Sequence, residues 1–456
     1  MKEIRVLSPT AILGYGFPLE SFMEGMKKNP DVIAVDAGST DPGPYYLGAG
    51  KSFTDRKAVK RDLDIMITNA LEKNIPVLVG TGGGSGAKPH LDWTVDIIKE
   101  ISKEKELEFK LGIIPADIDK NLVKTSLIEG KVLPLEPAPT LSEDEVDLST
   151  YIVGQMGVEP FIKALDMGCQ VIVSGRAYDP VVFAALGIKE GFDPGLALHM
   201  GKILECAAIA STPGSGSDCM FGILGEDYFE LMPLSNKRKC TTLSVAAHTL
   251  YEKSNPYILP GPGGIIDLTN TTFEQKTENS VVVRGSKFVP SEKYTIKLEG
   301  AKKVGYRTVS ICATIDPIMI SQIDDIIIEV KERVANNFED LKDYFLDFKI
   351  YGKNGVMGIF EGFSHKEPIE LGIVIESIAD SEDVSATICS FARSTLLHFG
   401  YNNRKSTAGN LAFPFSPSDF KAGEVYNFNM YHIIETKDGL ELFNIEMYDC
   451  MKGELK

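Results

Sequence analysis

Over the first 257 residues, short apolar runs alternate with amphipathic segments of helical spacing, and this alternation limits the possible folds more than any other feature. The runs are Ile4–Leu7, Val32–Asp36, Pro76–Gly80, Leu111–Pro115 and Gln170–Ser174. The helical segments between them are Leu19–Lys28, Arg56–Lys73, Trp93–Lys103, Ile118–Glu129 and Glu159–Gly168. Strands joined through helices need crossover connections, which predicts an α/β fold with a mostly parallel sheet flanked by helices on both faces. Ligands of such sheets gather at the carboxyl ends of the strands. The segments that follow these runs are polar and rich in glycine, so the site is expected there.

The pattern changes near Pro260-Gly-Pro-Gly-Gly. Alternating segments Ser280–Arg284 and Tyr294–Glu299 lead into a long run, Tyr306–Ile315. After it come a helix over Ile318–Asn337, strands over Phe345–Tyr351 and Ile369–Ser377, a helix over Ala386–Phe399 and a strand over Tyr426–Ile434. That β-α-β-β-α-β order predicts an α+β ferredoxin-like (split βαβ) C-terminal domain. The expected division is residues 1–257, carrying the glycine-rich loops, and residues 258–456.

A chain of 456 residues is long enough for two cores. Its 47 basic and 64 acidic residues give a net charge of −17, which argues against nucleic acid as a partner. No run reaches the ~20 apolar residues that span a bilayer. The seven cysteines are scattered without a C-x-x-C pair, pointing to a reducing compartment and away from disulfides and thiolate zinc sites. With no signal-like apolar core after Met1, the expected location is the cytoplasm. Strand edges in the second domain suggest a homo-oligomer.

The first candidate site is Gly80-Thr-Gly-Gly-Gly-Ser-Gly-Ala-Lys-Pro-His90. Glycines after a strand let backbone N–H groups approach an anion, and Lys88 and His90 stand where a charge or a proton is wanted. A P-loop is excluded, because Ala87 replaces its second glycine and Pro89 its hydroxyl. Gly82-x-Gly84-x-x-Ala87 fits a dinucleotide fingerprint loosely, with Asp117 as the later acid, but in the third unit and with a proline at the helix start. A small carboxylate held by the amides of Gly82, Gly83, Gly84, Ser85 and Gly86 is the favoured ligand.

The loop Asp36-Ala-Gly-Ser-Thr-Asp-Pro-Gly-Pro-Tyr-Tyr-Leu-Gly-Ala-Gly-Lys51 offers Ser39, Thr40 and Asp41 at a second strand end. At a third, Ser174-Gly-Arg-Ala-Tyr-Asp-Pro180 supplies Arg176, suited to bind a carboxylate through two parallel hydrogen bonds, with Asp179 to orient it or act as base. Asp117 and Asp119 could hold Mg²⁺ or cap a helix. Ser211-Thr-Pro-Gly-Ser-Gly-Ser-Asp-Cys219 contributes Ser217 and Asp218, with Cys219 a potential nucleophile. His248 and Glu252 lie four apart on one predicted helix, so the carboxylate could orient the ring.

Several of these segments resemble the acyclic terpene utilisation (AtuA-like) family. They are Asp36–Gly48, Gly80–Gly86, Ser174–Pro180, Pro213–Gly222, Ser244-Val-Ala-Ala-His-Thr-Leu-Tyr-Glu252 and Leu259-Pro-Gly-Pro-Gly-Gly264. The resemblance spans most of the chain and implies bacterial carboxylic-acid catabolism. The family's namesakes degrade citronellol and geraniol, and many relatives occur beside a small companion protein. It implies no established catalytic set, and no cofactor follows from it.

These readings predict a lyase of hydratase/dehydratase type acting on a small carboxylic acid. Arg176, the loop amides and Lys88 would bind the carboxylate, and His248 or His90 would move the proton, oriented by Glu252 or Asp179. Asp41 is a further carboxylate at the same mouth. Two alternatives stand beside it: a hydrolase or acyl transferase using Cys219 or a nearby serine on an acyl or CoA-linked substrate, and a non-catalytic acid-binding subunit with a small partner protein.

Overall fold

The computed structural model describes residues 2–250, 255–341, 343–360, 368–405 and 408–456. The five predicted runs all form strands: β1 (Ile4–Ser8), β2 (Val32–Asp36), β3 (Val77–Gly80), β4 (Glu108–Ile114) and, after β5 (Ser149–Gln155), β6 (Val171–Ser174). They lie side by side in the order β1-β2-β3-β6-β4, and every neighbouring pair is parallel. Antiparallel strands extend this centre to eleven strands: Met220–Leu224 pairs with β1, and Glu446–Met451 with β4.

Side chains alternate between two cores, as the pleat requires. Leu7, Ile33, Val35, Val77 and Val79 face one core with α1 (Leu19–Lys27), α2 (Arg56–Lys73) and α3 (Lys88–Glu104). Val6, Ala34, Leu78 and Ile172 face the other with α4 (Glu159–Asp166), α5 (Val181–Lys189) and α6 (Pro194–Leu204). Local signals set the helix ends. Asp55 caps α2 by accepting from the N–H groups of Lys57 and Ala58, and Asn74, at φ 54°, ends it in the left-handed region. Helix α3 begins at Lys88, five residues before the expected Trp93. Pro89 lies in its first turn, where the missing N–H costs nothing, so the proline starts the helix and does not interrupt it.

The order of strands locates the site. From β3 the chain passes over one position to β4, then returns to place β6 in the gap. Such a reversal opens a crevice beyond the carboxyl ends of the strands on either side. Thr81 follows β3 there, and Arg176 follows β6.

The chain divides into two compact units, residues 1–302 with 428–456 and residues 303–427. The boundary expected at 257/258 falls inside the first unit, because Ile258–Gly261, Gly264–Asp267 and Val281–Arg284 pair with elements of that unit. Two long strands, β7 (Tyr294–Thr314) and Asp419–Thr436, carry the chain across the division, and the first part of β7 pairs antiparallel with β5. In the second unit, Tyr344–Tyr351 pairs with Leu371–Ala379, which pairs with β7, both antiparallel. Helices Ile323–Asn337 and Glu382–Leu397 pack on one apolar core with Val330, Ile373 and Ile388. The helix expected over Ile318–Asn337 breaks at Gln322, which ends Pro317–Ser321 and precedes Ile323.

The glycine loop is wholly buried from Gly80 to Ala87. A Cβ on Gly86 would lie 2.2 Å from the backbone N of Arg176, and its φ is 72°. Gly86→Ala is therefore expected to cost at least ~2 kcal/mol, from left-handed strain and overpacking together. Urea unfolding would measure it, and an unchanged midpoint would refute the packing role assigned to the loop.

Candidate functional site

The loop after β6 carries Arg176 into the crevice. Its guanidinium is 3% exposed and fixed on two sides. Nε donates to Glu299 Oε2 at 2.7 Å, and Nη1 donates to Asp179 Oδ1 at 2.8 Å and to the carbonyl of Ala177 at 2.7 Å. Nη2 takes no partner among the described residues. Burial alone would lower this group's pKa, but Glu299 and Asp179 outweigh it and keep the guanidinium charged.

Glu299 is the hub. It comes from β7, where Glu299 pairs with Val153 of β5 and Lys297 with Gln155. Its Oε1 accepts from Thr40 Oγ1 at 2.9 Å and from Lys297 Nζ at 2.7 Å. Burial would raise its pKa, yet Arg176 and then Lys297 hold it at about 2. Thr81 supports the same cluster from β3: its Oγ1 accepts from the N–H of Ala177 at 3.3 Å. Thr81 has φ 50°, a costly conformation for a β-branched residue and one that concentrates at functional sites.

Arg176, Asp179 and Lys297 border a cavity of ≈ 660 Å³. Its wall includes Arg176, Asp179, Lys202, Glu205, Lys297 and Tyr178, with Asp41 and Gln155 also contributing. Lys202 and Glu205 form a buried ion pair on and just beyond α6. Burial would lower the lysine's pKa, but Glu205 outweighs it and keeps the ammonium charged. Asp36, at the end of β2, is buried with Oδ1 unpartnered. Burial, then the charge of Asp179, pushes its carboxyl well above the usual range, although Arg176 opposes this. The Tyr178 hydroxyl is likewise buried without a partner, and burial raises its pKa.

The expected residues are thus partly gathered and partly dispersed. Arg176, Asp179 and Asp41 line the cavity. Thr40 stands behind the wall, bonded to Glu299, and Ser39 donates to the wall residue Asp41 at 2.8 Å. His248 is buried within electrostatic reach of Lys202, and burial, then that charge, lowers its pKa to about 4, leaving a neutral ring at pH 7. Glu252 lies outside the described residues.

Other placements correct the expectation. Gly82, Gly83, Gly84, Ser85 and Gly86 do not line the cavity, and the amides of Gly82 and Gly84 are bonded to the carbonyls of Ser174 and Thr81. The loop instead supports the Arg176 turn, whose N–H donates to Gly86 O at 3.2 Å. Lys88 points to solvent, paired with Asp92 at 2.9 Å, one helical turn away. His90 Nε2 meets the carbonyls of Tyr46 and Lys51, each at 3.1 Å, so it must carry the proton and pin the 36–51 loop.

Ser217 is exposed, and Asp218 pairs with Arg238 at 2.8 Å beside a different cavity. Asp119 caps the helix Lys120–Ile128, while Asp117 accepts from the backbone of Lys88, so the two do not converge on a cation. Among the described residues, no three His, Cys, Asp or Glu side chains are grouped to hold a metal. Cys219 is fully buried, and burial raises its thiol pKa, the opposite of an activated nucleophile.

Sequence reasoning missed Lys202, Glu205, Lys297, Glu299 and Asp36. A usable signal existed for Lys202: it is the only charged residue in the apolar helix Pro194–Leu204, and such a lysine must be paired if buried. Glu299 gave none, since its alternating strand reads equally well with the glutamate toward solvent.

Two predictions follow the charges. For Glu299 the folded pKa of about 2 lies below the ordinary 4.5, so its contribution is full above pH ~4.5 and is lost as pH falls toward 2. Glu299→Gln should cost ~3–5 kcal/mol at pH 7, since it strands buried cations, and the loss should shrink at low pH in chemical denaturation. Asp36 has the opposite sign: its raised pKa makes ionisation a destabilising load that appears as pH rises above ~4. Asp36→Asn should therefore raise the unfolding midpoint at pH 7 and leave it unchanged near pH 3.

No curated protein and no solved structure matches this chain. No described helix is long and apolar enough to cross a membrane. The family model of acyclic terpene utilisation protein AtuA matches residues 49–216 and 233–396, which include Arg176, Asp179, Lys202, Glu205 and Glu299. By that match over most of its length, the chain belongs to the acyclic terpene utilisation (AtuA) family.

Proposed function

We propose that this protein is a cytoplasmic enzyme of carboxylic-acid catabolism, serving acyclic terpene breakdown or a related route, and that it adds or removes water in a small carboxylic acid. One observation carries this reading. In a cavity lined by both cations and carboxylates, Arg176 keeps Nη2 without a partner among the described residues while Nε and Nη1 are fixed. A guanidinium held in this way is preorganised for one further anion and loses little on binding it. The carboxylate would be held through one nitrogen, with Lys297 beside it, and not by the two-pronged contact expected from the sequence.

Dehydration of a β-hydroxy acid breaks a C–H bond next to the carboxylate and the C–O bond beyond it, forms a C=C bond and releases water. Asp179, on the wall and anchored by Arg176, is the candidate base for the carbon proton. The leaving hydroxyl needs a proton donor, and Lys202, kept charged by Glu205, and the Tyr178 phenol both stand on that wall. His248, neutral at pH 7 and close to Lys202 in electrostatic terms, is suited to relay a proton from behind it. The hydrolase reading through Cys219 has less support, since its thiol is buried and its pKa raised.

The test is solvent exchange. A panel of small hydroxy acids and their unsaturated partners, incubated with the protein in D₂O, should show enzyme-dependent loss of a C–H signal next to a carboxylate in proton NMR. Tyr178→Phe should lower kcat/KM at least tenfold and leave stability unchanged or slightly higher, because the hydroxyl makes no hydrogen bond among the described residues. No exchange and no hydration across the panel would overturn the reading. Full activity in Tyr178→Phe would remove Tyr178 from it.

A further inference from the structure

A second, smaller cavity of ≈ 180 Å³ shares Tyr178, Gly261 and Pro262 with the charged one. Its character is different. Val181 and Ile188 from α5, Leu198 from α6, and Ile266 and Phe288 from the facing strands make it mainly apolar. The one charged residue on its wall, Glu159, is held by the Tyr294 hydroxyl at 2.7 Å. One hairpin, Ile258–Gly261 with Gly264–Asp267, covers both chambers. It lies directly on the dividing ring, since a Cβ on Gly261 would come within 2.8 Å of Tyr178.

We infer that this chamber receives the hydrocarbon end of the ligand whose carboxylate lies against Arg176, so that the ligand is an acid bearing an aliphatic group. The inference rests on the carboxylate reading of Arg176 and adds the other end of the molecule. Size bounds that group. Apolar cavities of ~150 Å³ take up benzene, so a chamber of this volume accommodates roughly six carbons. It is too small for a whole ligand of the usual kind, whose pockets start near ~300 Å³. An apolar chamber that shares wall residues with a charged one suits an amphipathic molecule, because each end is rejected by the other's surroundings.

The test measures dissociation constants by calorimetry for straight-chain carboxylic acids of increasing length, each compared with its primary amide. For the full chain, affinity of the acids should climb about fourfold per methylene and level off once the chamber is full. Leu198→Phe should bring the plateau to shorter acids, and Leu198→Ala should move it to longer ones. The two variants shift the plateau in opposite directions, so if the larger side chain prevents folding, the smaller one carries the test. Acids that outbind their amides with no dependence on length would overturn the chamber and leave the Arg176 reading standing. Acids and amides that bind equally, with affinity still climbing, would overturn the Arg176 reading alone. If neither series binds, both fall.

Discussion

The buried pair between Arg176 and Glu299 holds the site together. Each member is almost fully excluded from solvent, and either one alone would be a large desolvation penalty. Together they are tolerable because most of the remaining valences are met: Glu299 also accepts from Thr40 and Lys297, and Arg176 Nη1 donates to Asp179 and Ala177, leaving only Nη2 without a partner among the described residues. The consequence is mechanical. One carboxylate ties the turn after β6, the loop after β2 and strand β7 to a single point, although these segments are far apart in sequence. The buried glycine loop belongs to the same construction, because the Arg176 turn approaches Gly86 more closely than any side chain would allow.

That construction leaves the cavity wall mixed in charge. Arg176 pairs with Glu299 and Asp179, Lys202 with Glu205 and Lys297 with Glu299, while Asp41 and Glu136 add carboxylates outside these pairs. Among the described residues, Arg176 Nη2 is the guanidinium nitrogen that takes no partner. Burial acts in opposite senses on two further groups: it pushes the Asp36 carboxyl up and lowers the pKa of His248 to about 4. The apolar chamber shares Tyr178, Gly261 and Pro262 with this cavity, so a charged wall and an oily one meet at the same residues.

Much of the fold was legible in the sequence. The five short apolar runs read as strands all became strands, because a buried parallel strand needs a short continuous apolar stretch bounded by turn residues. Arg176, Asp179, Thr40 and Asp41 were legible for a related reason: they follow strands in loops too polar and too glycine-rich to be plain connections. The glycine loop misled. Glycine permits close approach, but the sequence does not say what approaches, and here it is the protein's own backbone at Arg176. Lys88 and His90 misled with it, since a helix beginning at Lys88 turns one toward solvent and the other toward the 36–51 loop.

The sequence by itself determined the five central strands with the helices between them, and the polar loops at their carboxyl ends, one of which carries Arg176. These follow from periodicity, capping and turn chemistry, which act over a few residues. Only the tertiary structure decided which strands became neighbours, and with that the place of β6 between β3 and β4, the partner of Arg176, and the Lys202–Glu205 pair. Glu299 lies 123 residues beyond Arg176, and its burial depends on the pairing of β7 with β5. No local pattern encodes a contact over that distance, because the free energy that buries both charges exists only once every partner is in place.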